Sequence, residues 1–238
     1  MQNLLNSNQI SEFYHDAFVH QQLDHFKKIA LPYFTAESVL VDIGGGCGFF
    51  AHGVKQEFGL LTRVIDMDPM SVRTALSSGV EAEVGDALSP KRHGDEDVIC
   101  FNLILHHLVS YSEQLTSDLQ MQAITQWSRN KNIKIFVNEY IYESFIRNIS
   151  GRFIYLITKS KVLSTIGRIA AFFMPSLKAN TFGVGVRFRS HCEWLDLFER
   201  NGFRVIQTIK GKDENVSMPR RLLLIKAIRR DSFLLSPK

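Results

Sequence analysis

The sequence predicts an α/β protein: one doubly wound, mostly parallel sheet of seven strands with helices on both faces. Three observations carry this. Short β-branched and apolar runs at 38–43, 62–66, 81–84, 97–103 and 133–139 alternate with segments of helical periodicity, as in βαβ units. The first run, Val39-Leu-Val-Asp-Ile43, breaks at once into Gly44, Gly45, Gly46 and Gly48, so a strand ends there in a sharp turn. Two last runs, 203–209 and 221–228, follow one another with no long helical segment between them and predict a hairpin-like close to the sheet.

The elements follow in order. Residues 9–35 read as helical, with Phe13, Phe18, Leu23, Phe26 and Ile29 at helix-like intervals, and His15, His20 and His25 on the surface. A helix runs from the glycines to about residue 57. Asp68-Pro69 opens another, with Asp as N-cap and Pro at the first helical position. The third strand stops at Gly85-Asp86, the fourth leads into Ile104-Leu-His-His-Leu108, and a helix over 113–129 returns the chain to a fifth strand ending in Glu139. Residues 140–182 mix aromatic and aliphatic residues with Arg and Lys and are expected to form one or two inserted amphipathic helices. A helix over 190–201 carries a capping box, Ser190 and Glu193, with Gly202 just past its end. No linker or repeat divides the chain, so 1–238 is read as a single domain.

With 238 residues there is room for one such domain and an extra lid. Hydrophobic content of 45% and charged content of 22% are those of an ordinary globular protein. The net charge is +4 and the pI about 9.0, with arginines such as Arg187, Arg189, Arg229 and Arg230 gathered late in the chain. Solvated surface charge is the favoured reading; an acidic substrate or a membrane surface is the less favoured one. Cys47, Cys100 and Cys192 lie far apart without a Cys-x-x-Cys pair, which speaks for a reducing compartment and against a disulfide framework or a zinc site. No signal-like start and no apolar run of about 18 residues is present, so a cytoplasmic location is expected.

Four motifs then occur in order: Asp42-x-Gly44-x-Gly46-x-Gly48, Asp66-Met-Asp-Pro69, Gly85-Asp86-Ala87, and Asn102-Leu103 ahead of Leu105-His-His-Leu108. Together they resemble the class I S-adenosylmethionine-dependent methyltransferases of small-molecule O-methyltransferase type, over about 38–140 and the closing strands. A dinucleotide fingerprint would want Gly or Ala where Phe49 stands. The resemblance implies S-adenosyl-L-methionine as cofactor, leaving as S-adenosyl-L-homocysteine. Asp42 and Gly44, Gly45, Gly46 and Gly48 would form its loop. Asp66 would accept both ribose hydroxyls, an acceptor-only group suiting two O–H donors. Met67 would lie on the adenine, Asp86 and Ala87 at its amino group, and Asn102 and Leu103 beside it.

The resemblance also implies where chemistry occurs. Reacting groups in an open α/β sheet gather at the switch point, here between the first and fourth strands. His106 or His107 is expected to be the general base, with Glu139 orienting it or touching substrate. Residues 1–36 would form a helical lid with Tyr14 closing over the cofactor, and 140–182 a substrate cap. Arg187 and Arg189, at the substrate mouth, would suit a carboxylate or phosphate. No metal is expected, although Asp95, Glu96 and Asp97 adjoin. The expected partner is a small molecule; nucleic acid is disfavoured for want of a basic stripe with exposed aromatics. Membrane contact through 152–174, methylation of RNA or protein, and N- or C-methylation of a metabolite or a lipid or quinone precursor are the alternatives. The oligomer is read as monomer or homodimer.

Overall fold

The computed structural model describes residue 16 and residues 18–174, 177 and 181–238. The strands are β1 (Val39–Ile43), β2 (Leu61–Asp66), β3 (Glu81–Val84), β4 (Glu96–Asn102), β5 (Lys134–Ser144), β6 (Phe203–Ile209) and β7 (Ile225–Pro237). They form one sheet in the order β3-β2-β1-β4-β5-β7-β6. β1 to β5 pair in parallel, whereas β7 runs antiparallel to both β5 and β6. The strand order reverses between β1 and β4, which puts the switch point where the sequence predicts it.

Helices cover both faces: α1 (Val19–Ile29), α2 (Phe49–Phe58), α3 (Pro69–Ser77), α4 (Glu113–Thr125), α5 (Ile149–Lys159), α6 (Lys161–Phe173), α7 (His191–Arg200) and the one-turn α8 (Met218–Arg221). The central strands are apolar in succession because both faces are buried. Their side chains alternate between two cores. Val41, Ile43, Ile99, Phe101 and Val137 join Trp194 and Phe198 of α7 on one face. Leu40, Val98, Cys100 and Phe136 meet Phe26 of α1 and Phe50 of α2 on the other.

Within the described part of the expected N-terminal lid, Leu23, Phe26 and Ile29 of α1 are buried, and Phe26 stands edge-on to Phe50 at 5.8 Å and to Phe136 at 5.4 Å. Three other expectations are corrected by the packing. His25 is buried as well, its Nδ1 2.9 Å from Ser232 Oγ, rather than on the surface. β5 runs on to Ser144 instead of stopping at Glu139, because β7 pairs with it from Ile135↔Leu235 to Ser144↔Ile225. The last strand is accordingly Ile225–Pro237, not 221–228. Its polar run Arg229-Arg-Asp-Ser232 hides this in the sequence, since Arg229 and Asp231 are buried as an ion pair at 2.9 Å. The expected caps are present: Asp68 Oδ2 accepts from Ser71 N–H at 2.8 Å, and Ser190 and Glu193 close the capping box of α7.

Candidate active site

The glycine loop joins β1 to α2. Gly44 takes φ +67° and Gly46 φ +55°, left-handed values that L side chains rarely adopt. A Cβ on Gly45 would lie 2.5 Å from Asp42 Oδ2, whereas one on Gly46 would meet nothing within 4 Å. The loop is therefore tight beneath Gly45 and open above Gly46. Asp66, at the end of β2, accepts the Gly46 and Asp68 amides at 2.8 Å each. A carboxylate offers about four lone-pair sites, so two accepted amides leave it capacity for further donors. Burial raises the Asp66 carboxyl above its ordinary range, with the two amides opposing.

Asp42 is buried under the loop. Asn102 Nδ2, on the end of β4, donates to its Oδ1 at 2.9 Å and so ties the two strands across the switch point. Its Oδ2 has no hydrogen-bond partner, and burial pushes the carboxyl up to about 7. A buried acceptor without a donor is costly. Leu103 follows with φ +56°, a conformation costing a non-glycine residue on the order of 1–2 kcal/mol. Ile104 Cδ1 fills the space a Gly44 Cβ would take, so the loop after β4 lies directly on the glycine loop. Asp86 Oδ1 accepts the Leu88 amide at 2.8 Å, Ala87 is buried beside it, and Met67 is exposed at the loop's rim.

That same loop turns through Leu105–His107 as one 3₁₀ turn and brings His106 to Glu139. Glu139 is fully buried; its Oε1 accepts Leu105 N–H and its Oε2 contacts His106 Nδ1, both at 2.6 Å. A carboxylate can only accept, so Nδ1 carries a proton, and in the neutral imidazole Nε2 keeps its lone pair. Nε2 hydrogen-bonds no described residue. The His107 ring lies 4.2 Å from that of His106, and burial first and His106 second hold its pKa well below the usual value. The adjacent pair is thereby sorted: His106 has the carboxylate, His107 does not.

Three residues that the sequence reading missed surround His106. Phe188 stacks on its ring at 4.9 Å, Tyr142 stacks on Phe188 at 4.1 Å, and Tyr140 stands edge-on to His106 at 5.9 Å. Tyr140 directly follows Glu139, and Phe188 lies between the two arginines singled out earlier; their neighbours were the available signal. Tyr14 lies outside the described residues.

Arg187 and Arg189 depart from the expectation of a substrate clamp. Arg187 is fully buried: its Nε donates to Glu113 at 2.9 Å, its Nη2 to Glu193 at 2.7 Å, and its Nη1 to Phe188 O. Arg189 donates to Gln120 and Ser117, each at 2.8 Å, and burial beside Arg187 pulls it down to about 10. Both guanidinium groups are turned inward, because buried arginine must be paired. Asp95, Glu96 and Asp97 likewise serve separate structural partners: Arg63, the amides of His93 and Gly94, and the amide of Val39.

No family model matches this chain, and no curated protein does. Solved structures do. The MccD protein superposes with a TM-score of 0.60 at 12% identity, covering 92% of this chain and 96% of its own. A methyltransferase from Thiobacillus denitrificans, S-adenosylmethionine-dependent and bound to S-adenosyl-L-homocysteine, gives 0.56 at 14%, with both chains covered in full. The geranyl diphosphate C-methyltransferase of Streptomyces coelicolor A3(2), bound to the same product, gives 0.55 at 13% over 94% of this chain and 77% of its own. The order β3-β2-β1-β4-β5-β7-β6, its switch point and these superpositions identify one architecture: the chain has the fold of the class I methyltransferases.

Proposed function

We propose that this protein is an S-adenosylmethionine-dependent methyltransferase that methylates a hydroxyl oxygen of a small molecule, with His106 as general base and Glu139 as its positioning residue. The observation that carries the reading is the Glu139 carboxylate, which holds both the Leu105 amide and His106 Nδ1 one turn beyond the loop lying on Gly44.

The residues present fit the cofactor in three respects. Open space lies above Gly46, Asp66 retains lone pairs for two sugar hydroxyls, and the donorless Oδ2 of Asp42 favours positive charge close by. When bound, the cofactor supplies a methyl group already activated on a sulfonium. The chain's own tasks are then alignment and proton removal. Alignment is worth up to roughly 7–11 kcal/mol in ideal cases, and the aromatic wall of Phe188, Tyr142 and Tyr140 supplies a surface for it. His106 Nε2 takes the acceptor's proton, and Glu139 stabilises the imidazolium that results. Solved neighbours include methyltransferases for carbon and nitrogen, so the test below reads the acceptor atom separately from cofactor uptake.

Calorimetric titration should show uptake of S-adenosyl-L-methionine and S-adenosyl-L-homocysteine and none of a nicotinamide dinucleotide. Mass spectrometry of labelled methyl transfer onto a metabolite extract should then give a product methylated at oxygen. Uptake of the nicotinamide nucleotide alone would refute the assignment, and a methyl-nitrogen or methyl-carbon product would refute the choice of atom.

A further inference from the structure

The α5–α6 hairpin is built inside out. Within α6 the only buried residue is Ser164. Val162, Ile166, Ile169 and Phe173, exposed by 70, 57, 58 and 75%, follow at the spacing that puts them on one helix face. α5 does the same: Ser150, Gly151, Tyr155 and Thr158 turn inward while Ile149, Phe153 and Leu156 face out. The inward face is held by polar bonds. Ser164 Oγ donates to Ile157 O and Thr158 O at 2.9 Å each, and Tyr155 O–H donates to Ser110 O at 2.6 Å.

Charge identifies what covers the outward apolar face. No Asp or Glu occurs between Glu143 and Glu193, while Arg152, Lys161 and Arg168 are exposed on the same two helices, Arg168 donating to Phe182 O at 2.9 Å. Two copies docked through this face would bring like charges together across a two-fold axis. An anionic bilayer surface is complementary in both respects, apolar residues entering the acyl boundary and cations meeting head groups. No helix among the described residues is long and apolar enough to cross a membrane, so the hairpin would lie in the interface plane.

We propose that the α5–α6 hairpin docks this protein on an anionic lipid bilayer. The docked face is one helix thickness from the site, since Tyr155 and Lys159 on α5 bind the carbonyls of Ser110 and Tyr111 in the segment following His106. Co-sedimentation of the full chain with phosphatidylcholine vesicles, with and without phosphatidylglycerol, tests this without cofactor or acceptor. The protein should pellet with the anionic vesicles at low salt, be released by high salt, and remain in solution with the neutral ones. Ile166→Glu with Phe173→Glu should weaken binding on the order of tenfold or more, with unchanged circular dichroism because both side chains face solvent. Arg152→Gln with Lys161→Gln should weaken it about fivefold per charge removed, which serves as the second variant if the first fails to fold. Failure of the wild type to pellet with anionic vesicles at low salt would overturn the proposal. So would either folded variant binding as well as the wild type. Sedimentation equilibrium showing a dimer broken by Ile166→Glu, with vesicles ignored, would assign the face to a second copy instead.

Discussion

Glu139 and His106 form the contact on which the proposed chemistry turns, and the pair makes a prediction about tautomers. In Glu139→Gln the new amide can still accept Leu105 N–H through its oxygen, leaving its NH₂ facing His106 Nδ1. The proton must then move to Nε2, and the base loses its lone pair. Turnover should fall by about 10²–10⁴ while the dissociation constant for S-adenosyl-L-homocysteine stays within about twofold; an equal loss in both would make Glu139 merely structural. His106→Ala should match that fall. His107→Ala should cost less than about tenfold, since its burial already holds it neutral and it lacks the carboxylate. Two adjacent histidines are indistinguishable in a linear sequence. Their roles separate only because Glu139, 33 residues later, reaches one of them.

Among the elements, the segment 185–190 shows how a reading based on residue type goes astray. Arg187-Phe-Arg189 has the composition of an anion clamp, yet the two arginines fasten this segment to α4 and α7 through Glu113, Gln120 and Glu193. The segment in turn bridges to β5 through Ile141 and Arg189 and seats Phe188 over His106. Arg187→Ala would leave two carboxylates facing a cavity and should lower stability by roughly 3–5 kcal/mol, measured by urea denaturation. A change confined to the KM of an acidic acceptor, with stability intact, would instead restore the clamp. The glycine loop behaved differently. Asp42, Gly44, Gly46 and Asp66 stand where their spacing implied, because a strand end, a left-handed turn and an acid at the next strand end are each specified locally.

For the whole molecule, the open space above Gly46, the raised Asp66 and the donorless Asp42 Oδ2 lie at the cleft proposed to take the cofactor. Ligand linkage then applies to the entire fold. S-adenosyl-L-homocysteine at about a hundredfold its dissociation constant should add about 2.7 kcal/mol, raising Tm by about 5–10 °C for a domain of this size. Differential scanning calorimetry should see that rise, and a nicotinamide dinucleotide should produce none. At this scale the division between sequence and structure is plain. The sequence alone determined the doubly wound sheet, its switch point, the glycine loop and the acids at 42, 66 and 86, because periodicity and backbone preference act over a few residues. Tertiary structure alone decided the partner of His106, the inward turn of Arg187, Arg189 and Arg229, the extent of β7 and the outward turn of the apolar face of α6. Those outcomes depend on pairs such as Arg187 with Glu113 and Arg229 with Glu143, 74 and 86 residues apart, whose burial is favourable only once the sheet has brought them together.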